Sequence, residues 1–313
     1  MHNHREFIVV KELFDLQFSA IIQPNGDLKS STNTAQHLFD NDNIGLLLPK
    51  NGKTNYAFYP FIMKQFLHAN IIGLNEHARL LPLYRSNTQG KNDILPKSGR
   101  VPNINKVFLK KVEKGLGLLF IPEAQEGNVC FSTNNNEIRD DFKTVFTPID
   151  FLDYLYAVMH HPRYQQWLTE KLATQIIIPS PTQTNFWTFV KYGQKLRLLH
   201  LLKCPDVNHF ITNFPVKDNN LISTNEFPLF RLSHQENKNT GCIQINKTQY
   251  FDHVPIEAWD FSIGNIQPLQ QWLKKRKATT LSTNDINYFH KMVIALYKTQ
   301  KIQNELQQLS TPF

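Results

Sequence analysis

The segment Tyr250–Lys277 reads YFDHVPIEAWDFSIGNIQPLQQWLKKRK and is the most informative stretch of the chain. Its first half is an aromatic-rich extended run that meets a proline at Val254-Pro255 and a glycine turn at Ile263-Gly264. In its second half, apolar residues recur every three or four positions, at Ile266, Leu269, Trp272 and Leu273. This pattern predicts a strand, a turn and then an amphipathic helix.

Four consecutive cations, Lys274 to Lys277, end this predicted helix. The negative end of the helix dipole favours cations in that position. No acidic residue between Phe261 and Asn284 neutralises them. Because most charge runs belong to solvated surfaces, this run alone does not predict a binding site.

The composition restricts the class of protein. With 41% hydrophobic and 12% aromatic residues, the chain can build a core, so it is not a wholly disordered protein. Its net charge of +8 favours a polyanionic partner. No apolar run approaches the roughly 18 to 20 residues of a membrane-spanning helix. The N-terminus also lacks the apolar stretch of a signal peptide, and the three separated cysteines suit a reducing compartment, so we expect a cytoplasmic protein.

The secondary-structure pattern changes near residue 145. Before it, short apolar runs bounded by turn residues, such as Asn43–Pro49, predict strands. After it, Thr147-Pro148-Ile149-Asp150 has the sequence of a helix start, and Ser282–Asp285 begins a final helix. We predict an α+β fold in which a β-rich part, residues 1–145, packs on a mostly helical part, residues 146–313.

A set of motifs occurs in a fixed order from about residue 43 onward. They are Asn43–Leu46, Pro82–Tyr84, Arg100–Asn103, Phe151–Val158, His161–Tyr164, Gly193, Leu198–Leu202, Phe251, Val254-Pro255, Trp259–Phe261, Ile263-Gly264 and Trp272–Lys277. Together they resemble the C-terminal specificity domain of type ISP restriction-modification enzymes. Asn265 departs from the family pattern, which has a second glycine there, but asparagine tolerates a positive φ angle better than most residues.

The resemblance implies a target recognition domain that binds double-stranded DNA, chiefly through the major groove. Such a domain positions an adenine-N6 DNA methyltransferase domain on the same polypeptide or on a separate subunit. This sequence lacks the Asn/Asp-Pro-Pro-Tyr/Phe motif of that methyltransferase and the phosphate-binding motif of a translocase. We therefore expect no catalytic residue, metal site or cofactor in this chain, and expect S-adenosylmethionine, ATP and Mg²⁺ in the other domains only.

Residue types suited to DNA are concentrated in two polar regions and at the end of the predicted helix. Arg and Lys bind guanine edges and phosphates, and Asn and Gln bind adenine edges. The candidate DNA-binding residues are Arg85, Lys91, Lys97, Arg100, Asn103, Gln235, Lys238, Gln244, Lys247, Lys274, Lys275, Arg276 and Lys277. The segment Arg100–Asn103 is equally compatible with a structural turn.

Two other functions stay open from the sequence. Asp206, followed by Glu236 and Lys238, resembles a metal-dependent nuclease, in which two carboxylates hold Mg²⁺ and a lysine lies beside the scissile phosphate. A scaffold that docks the methyltransferase without reading DNA is the third hypothesis. His200 lies in an apolar helical pattern and is expected to be a core residue rather than a metal ligand.

Overall fold

The computed structural model describes residues 7–14, 20–22, 28–29, 43–49, 59–64, 78–86, 100–122, 143–170, 176–224, 228–232, 239–264 and 266–309. These residues form an α+β structure, which confirms the predicted class. They separate into two compact units. The first unit holds the described residues up to Arg197 and residues 306–309, and the second unit is Leu198–Glu305. The change of secondary-structure pattern near residue 145 falls inside the first unit. The predicted domain boundary at that residue stays a prediction.

The strands are short. Their bounds are β1 Phe7–Val9, β2 Ala20–Ile22, β3 Leu28–Lys29, β4 Gly45–Pro49, β5 Phe61–Met63, β6 Ala78–Pro82, β7 Tyr84–Ser86, β8 Arg100–Pro102, β9 Leu119–Phe120, β10 Val145–Phe146, β11 Ile177–Pro179, β12 Leu229–Leu232, β13 Thr240–Gln244 and β14 Tyr250–Pro255.

Among the described residues, the α-helices begin after β8 and become more frequent after β10. Their bounds are α1 Lys106–Leu116, α2 Pro148–His160, α3 Pro162–Glu170, α4 Phe186–His200, α5 Ile256–Trp259, α6 Pro268–Lys274 and α7 Thr283–Gln307, with 3-10 turns at Val10–Leu13 and Pro205–Asn208. Within the described residues, no helix combines the length and the apolar character needed to cross a lipid bilayer.

An antiparallel sheet of five strands, in the order β3-β2-β6-β4-β5, lies in the first unit. β4 and β6 pair over five residues, from Gly45 opposite Pro82 to Pro49 opposite Ala78. Buried leucines on these two strands supply its core, namely Leu46, Leu47, Leu48, Leu80 and Leu81. Three two-stranded sheets complete the unit, with β1 antiparallel to β11, β7 antiparallel to β8, and β9 parallel to β10.

A buried asparagine connects β4 to the β7–β8 hairpin. The Oδ1 atom of Asn43 accepts a hydrogen bond from the backbone N–H of Tyr84 at 3.1 Å, and its Nδ2 atom donates to the Tyr84 carbonyl at 2.7 Å. This side chain therefore pairs with Tyr84 as a neighbouring strand residue would, satisfying a donor and an acceptor that burial would otherwise leave unpaired. The motif that begins at Asn43 has a structural role.

The predicted helix start at Thr147 is confirmed. The backbone N–H of Thr147 donates to Oδ2 of Asp150 at 2.8 Å, and the backbone N–H of Asp150 donates to Oγ1 of Thr147 at 3.3 Å. This reciprocal cap fixes the first turn of α2, whose residues are almost all buried. The helix ends at His160, directly before His161-Pro162.

Helices α2 and α4 approach each other closely at a glycine. A Cβ atom on Gly193 would lie 1.8 Å from the carbonyl oxygen of Asp153, so only glycine fits this position. One turn later on α4, Arg197 donates through Nε and Nη2 to the two carboxylate oxygens of Asp153 at 2.6 and 2.9 Å. The two-point geometry is the one in which Arg binds carboxylates most strongly.

The second unit is built on the antiparallel sheet β12-β13-β14, with α5, α6 and α7 contributing to its core. The core residues are Ile222, Ile243, Ile245, Phe251, Val254, Ala258, Trp259, Leu269, Trp272, Leu273, Leu281, Phe289 and Val293. The predicted cap of the final helix is confirmed, because Ser282 and Asp285 exchange backbone-to-side-chain hydrogen bonds of 3.0 and 3.1 Å.

Candidate nucleic-acid interface

The four-cation run begins at Lys274, the last residue of α6, and continues into the turn that follows; its members differ in environment. Lys274, Lys275 and Lys277 are exposed. The guanidinium carbon of Arg276 lies 3.8 Å from the centroid of the Trp272 ring. Because this contact holds Arg276 against the core, the turn presents three lysines to solvent and uses its arginine to pack.

Backbone hydrogen bonds fix this turn to the segment 221–224. The N–H of Ala278 donates to the carbonyl of Ile222 at 2.9 Å, and the N–H of Ile222 donates to the carbonyl of Thr279 at 3.1 Å. Ala278 has a φ angle of 59°, a left-handed conformation that reverses the chain directly after the cations. Nζ of Lys277 donates to the carbonyl of Thr224 at 3.3 Å, which ties the last cation to the same segment.

The loop between β13 and β14 carries Lys247 in an exposed position. A fully buried amide, that of Gln249, organises this loop. Its Oε1 atom accepts hydrogen bonds from the Asn220 backbone N–H at 2.8 Å and from Asn246 Nδ2 at 2.9 Å. Its Nε2 atom donates to the carbonyl of Val216 at 3.0 Å and to Asn220 Oδ1 at 2.7 Å. The loop conformation is therefore specified by four hydrogen bonds to one side chain.

The loop and the turn share one attachment. The backbone N–H of Ser223 donates to the carbonyl of Ile245, at the start of the loop, at 2.9 Å. Its neighbour Ile222 bonds the turn, as described above, so the same segment holds both. We call the exposed cations of these two elements the loop-and-turn surface; they are Lys247, Lys274, Lys275 and Lys277.

Gln244 lies at the end of β13, three residues before Lys247. It is directly opposite Leu229 of β12 and Tyr250 of β14. Ile243, the preceding residue, is completely buried, and side chains alternate along a strand. Gln244 is therefore on the face of the sheet that does not form the core. We call this the outer face; its residues are Leu229, Arg231, Cys242, Gln244 and Tyr250.

A β-bulge interrupts the second strand of this hairpin. The register shifts between Gly241 and Ile243, so that Asp252 and His253 of β14 occupy the place opposite Cys242 alone. His253 has a φ angle of 57°, and its Nδ1 atom lies 3.3 Å from Oδ2 of Asp252. The side chain of His253 is 61% exposed. The sequence pattern predicted an extended run here and gave no sign of the bulge.

The β7–β8 hairpin carries two predicted DNA-binding residues on opposite faces. Arg85 is directly opposite Val101, whereas Arg100 is opposite Ser86. Residues directly opposite each other on paired strands point to the same side of the sheet, whereas neighbours along one strand point to opposite sides. Arg100 therefore points to the same side as Ser86 and to the opposite side from Arg85. The guanidinium of Arg100 lies 4.2 Å from the centroid of the Tyr84 ring.

Asn103 is placed differently from the prediction that it contacts DNA. Its side chain is 1% exposed, and its Nδ2 atom donates to the carbonyl of Pro82 at 3.0 Å. Its backbone N–H donates to the carbonyl of Leu83 at 2.8 Å. Burial and these bonds hold the amide inside the hairpin junction, which favours the alternative that Arg100–Asn103 is a structural turn.

Several predicted residues lie outside the described part of the chain. They are Lys91, Lys97, Gln235 and Lys238 among the DNA-binding candidates, Glu236 of the nuclease hypothesis, and Asn265 of the glycine turn. The third nuclease residue, Asp206, is exposed and accepts a hydrogen bond from Lys298 Nζ at 2.5 Å. This bond holds the pKa of the Asp206 carboxyl below its usual value.

His200 is a half-buried residue of the second unit that bonds within the protein. Nε2 of His200 lies 2.9 Å from Oγ1 of Thr299, whose hydroxyl donates to the carbonyl of Ala295 at 2.7 Å. The hydroxyl proton is thus committed, so His200 is the donor in their contact, and burial lowers the pKa of His200 to about 4. Among the described residues, no group of three or more His, Cys, Asp or Glu side chains is arranged to hold a metal ion.

Two solved structures share this fold. One is the cryo-EM structure of a DrdV–DNA complex, with a TM-score of 0.59 and 17% identity, covering 92% of this chain and 28% of that one. The other is the ATP-dependent Type ISP restriction-modification enzyme LlaBIII bound to DNA, with a TM-score of 0.53 and 14% identity, covering 87% of this chain and 16% of that one. The chain therefore spans less than a third of the length of either protein.

The sequence comparisons identify the family. No protein of curated function matches the chain. A profile of the type ISP C-terminal specificity domain matches residues 14–305. This match begins before residue 43, where the first of the recognised motifs lies. It confirms the resemblance that those motifs indicated: the chain belongs to the type ISP C-terminal specificity domain family.

Proposed function

We propose that this chain is a DNA target recognition domain of a type ISP-like restriction-modification enzyme. It binds duplex DNA in a sequence-dependent way and positions an adenine-N6 methyltransferase domain. Its membership of the specificity-domain family supports this function. So do the two similar structures, DrdV and LlaBIII, both of which are bound to DNA.

The loop-and-turn surface is the observation that carries the proposal. Lys247 and the lysines at the end of α6 and in the turn after it are solvent-exposed, and the loop and the turn that carry them are hydrogen-bonded to one segment, 221–224. Each phosphate that a lysine neutralises releases condensed counterions from DNA, which is the main source of sequence-independent affinity. Because their backbone is fixed, these lysines can set the position of the duplex against the protein.

Sequence reading requires groups that reach base edges. Gln244 on the outer face has the amide that pairs with the N6 and N7 atoms of adenine. It is three residues from Lys247, so phosphate contacts by the loop-and-turn surface would bring a base pair close to this amide. Arg85 and Arg100 in the first unit are the corresponding candidates for guanine or phosphate.

The remaining activities of such an enzyme belong to other domains in this proposal. Methyl transfer, translocation and cleavage take place there, with S-adenosylmethionine, ATP and Mg²⁺ bound there and no cofactor in this chain. The methyltransferase domain is carried by the same polypeptide or by a separate subunit. A cytoplasmic location is part of the same proposal.

The test is selection from a pool of random duplexes by the full chain, at low and at moderate salt, with sequencing of the retained duplexes. We expect binding that falls steeply with salt and one enriched asymmetric motif. Replacing Lys247, Lys274, Lys275 and Lys277 by Gln removes four cations. The slope of log K against log salt should then become less steep by about 0.9 for each phosphate that the variant no longer neutralises.

Lys301→Gln is the matched control. This variant removes one exposed cation of α7. Lys301 is sixteen residues beyond Asp285 in the first turn of α7, so the two residues are about 24 Å apart along the helix axis. The slope for this variant should equal that of the parent. Absence of binding by a folded parent chain would contradict the proposal and favour the scaffold hypothesis. Salt-sensitive binding without an enriched motif would contradict sequence reading by this chain alone.

A further inference from the structure

Helix α1 carries a row of lysines that neither the predicted contacts nor the loop-and-turn surface includes. Lys106, Lys110 and Lys114 are four residues apart and lie on one side of the helix. All three are exposed, and so is Lys111 beside them. We call Lys106, Lys110, Lys111 and Lys114 the lysine ridge.

The spacing of the ridge suits the backbone of a duplex. An α-helix rises about 1.5 Å per residue, so successive lysines of the row are about 6 Å apart along the axis, and Lys106 and Lys114 about 12 Å apart. One DNA strand carries a phosphate for about every 3.4 Å of duplex axis. The row therefore spans the length of three to four phosphates of one strand when the helix lies along it, within reach of flexible lysine side chains.

Within the part of the chain that the structure describes, acidic groups do not compensate the charge of the ridge. Glu113 is the only acid of α1, and its Oε1 atom accepts a hydrogen bond from the backbone N–H of Phe120 at 2.8 Å. Among the described residues, no acidic side chain forms an ion pair with any ridge lysine. Like charges four residues apart repel, and Lys106 lies in the first turn, where the helix dipole disfavours a cation. A polyanion would relieve both penalties.

The helix is fixed at both ends, so the ridge has a defined direction. Oδ1 of Asn105 accepts a hydrogen bond from the backbone N–H of Val107 at 3.0 Å, which caps the first turn. The backbone N–H of Asn105 donates to the carbonyl of Leu13 at 2.7 Å. Val112 and Leu116 bury the opposite side of the helix, and Gly117 ends it with a φ angle of 66°.

An exposed apolar residue accompanies the cations. Val107 is 66% exposed and lies one turn before Lys110 and Lys111 on the helix surface. Single exposed apolar side chains are common on protein surfaces, so Val107 is compatible with a ligand on this face but does not by itself indicate one. A DNA backbone offers both phosphates for the lysines and apolar sugar edges for Val107.

We propose that the lysine ridge of α1 binds the sugar-phosphate backbone of duplex DNA. It is a sequence-independent contact of the first unit, additional to the loop-and-turn surface of the second unit. The inference rests on the proposed function, because the ridge is a further contact with the DNA that the chain is proposed to bind. It assigns the ridge to positioning and not to base reading, so its loss changes affinity and salt dependence without changing the preferred sequence.

The experiment compares the parent chain with a glutamine variant, Lys106→Gln, Lys110→Gln, Lys114→Gln, and an arginine variant with the same three positions changed to Arg. Glutamine and arginine are both good helix formers, and circular dichroism verifies that each variant folds. Binding of one duplex is measured at several salt concentrations, and the selection from random duplexes is repeated.

We expect the glutamine variant to reduce the slope of log K against log salt by about 0.9 for each phosphate that it no longer neutralises, or about 2.7 if each of the three lysines neutralises one phosphate. The arginine variant should keep the slope of the parent, and all three proteins should enrich the same motif. A glutamine variant with the parent's slope would overturn the ridge alone, whereas a parent chain that binds no duplex would overturn the ridge and the proposed function together. A changed motif would also overturn the inference, because it would mean that the ridge reads sequence.

Discussion

The guanidinium of Arg276 stacks on the ring of Trp272, and its Nη1 atom donates to the Trp272 carbonyl at 3.3 Å. Its Nε atom lies 3.8 Å from Oδ1 of Asp285, in the cap of α7. Arg276 thus joins the end of α6 to the start of α7, while the lysines on either side of it remain exposed. A single basic run in the sequence contains one packing residue and three surface residues.

This difference predicts unequal effects on stability. Arg276→Ala removes the stacking contact and should lower the free energy of unfolding by about 1 kcal/mol, the usual size of a partly exposed cation–π contact. Lys274→Ala removes an exposed side chain that makes one hydrogen bond, at 3.5 Å, and should change the free energy of unfolding very little. Urea unfolding of both variants measures the two effects. Equal stabilities would contradict the packing role of Arg276.

Because α2 and α4 approach closely at Gly193, adding one methyl group there should lower the stability strongly. In Gly193→Ala the new Cβ atom meets backbone oxygen of Asp153, which cannot move without separating α2 from α4. Overpacking of this kind costs about 1 to 3 kcal/mol or more. Gly115→Ala is the control, because its Cβ atom would lie at an ordinary 3.6 Å from the nearest atom, the carbonyl oxygen of Pro181, and alanine favours helix. Thermal unfolding should show a lower melting temperature for Gly193→Ala and no decrease for Gly115→Ala.

The lowered pKa of His200 should make the free energy of unfolding depend on pH. Burial lowers its pKa from 6.5 to about 4, so between these values the unfolded chain binds a proton that the folded chain does not. Its contribution to stability is complete above pH 6.5 and is lost as the pH falls toward 4. His200→Gln retains a donor for Thr299 and cannot be protonated. The free energy of unfolding, followed from pH 7 to about 4, should fall more steeply for the parent than for the variant; parallel curves would show that His200 does not titrate in this way.

Substitution of Asn103 should lower the stability of the chain without changing the DNA sequence that the chain prefers. Asn103→Ala leaves the buried carbonyl of Pro82 without its side-chain donor, which costs about 1 to 3 kcal/mol. Because the amide is buried, the variant should enrich the same motif as the parent from a random duplex pool. A stable variant with an altered motif would show that Asn103 does contact bases.

Much of the fold follows from local sequence chemistry. The N-terminal caps of α2 and α7 are formed by Thr147 with Asp150 and by Ser282 with Asp285. They can be predicted from sequence because each cap depends on two residues only three positions apart. The end of α1 follows from Gly117, which adopts the positive φ angle that glycine tolerates. The family itself could be predicted because many short motifs keep their order along the chain.

Other features depend on partners distant in sequence. Asn103 has the residue type of a base-reading contact, and only the fold shows that its amide is bound inside the hairpin junction. Arg276 is indistinguishable from its neighbours until Trp272 is placed beneath it. The positive φ angle of His253 arises from a register shift between two strands, which local propensity does not encode. The lysine ridge, by contrast, had a signal in the sequence, namely the four-residue spacing of Lys106, Lys110 and Lys114.

The most direct test of the account is the ratio of two dissociation constants measured with the full chain at one salt concentration. One duplex carries the motif enriched from the random pool, and the other has the same composition with the base pairs of the motif shuffled. A sequence-reading domain should bind the first about a thousandfold more tightly. Equal affinity for the two duplexes would contradict the claim that this chain reads DNA sequence.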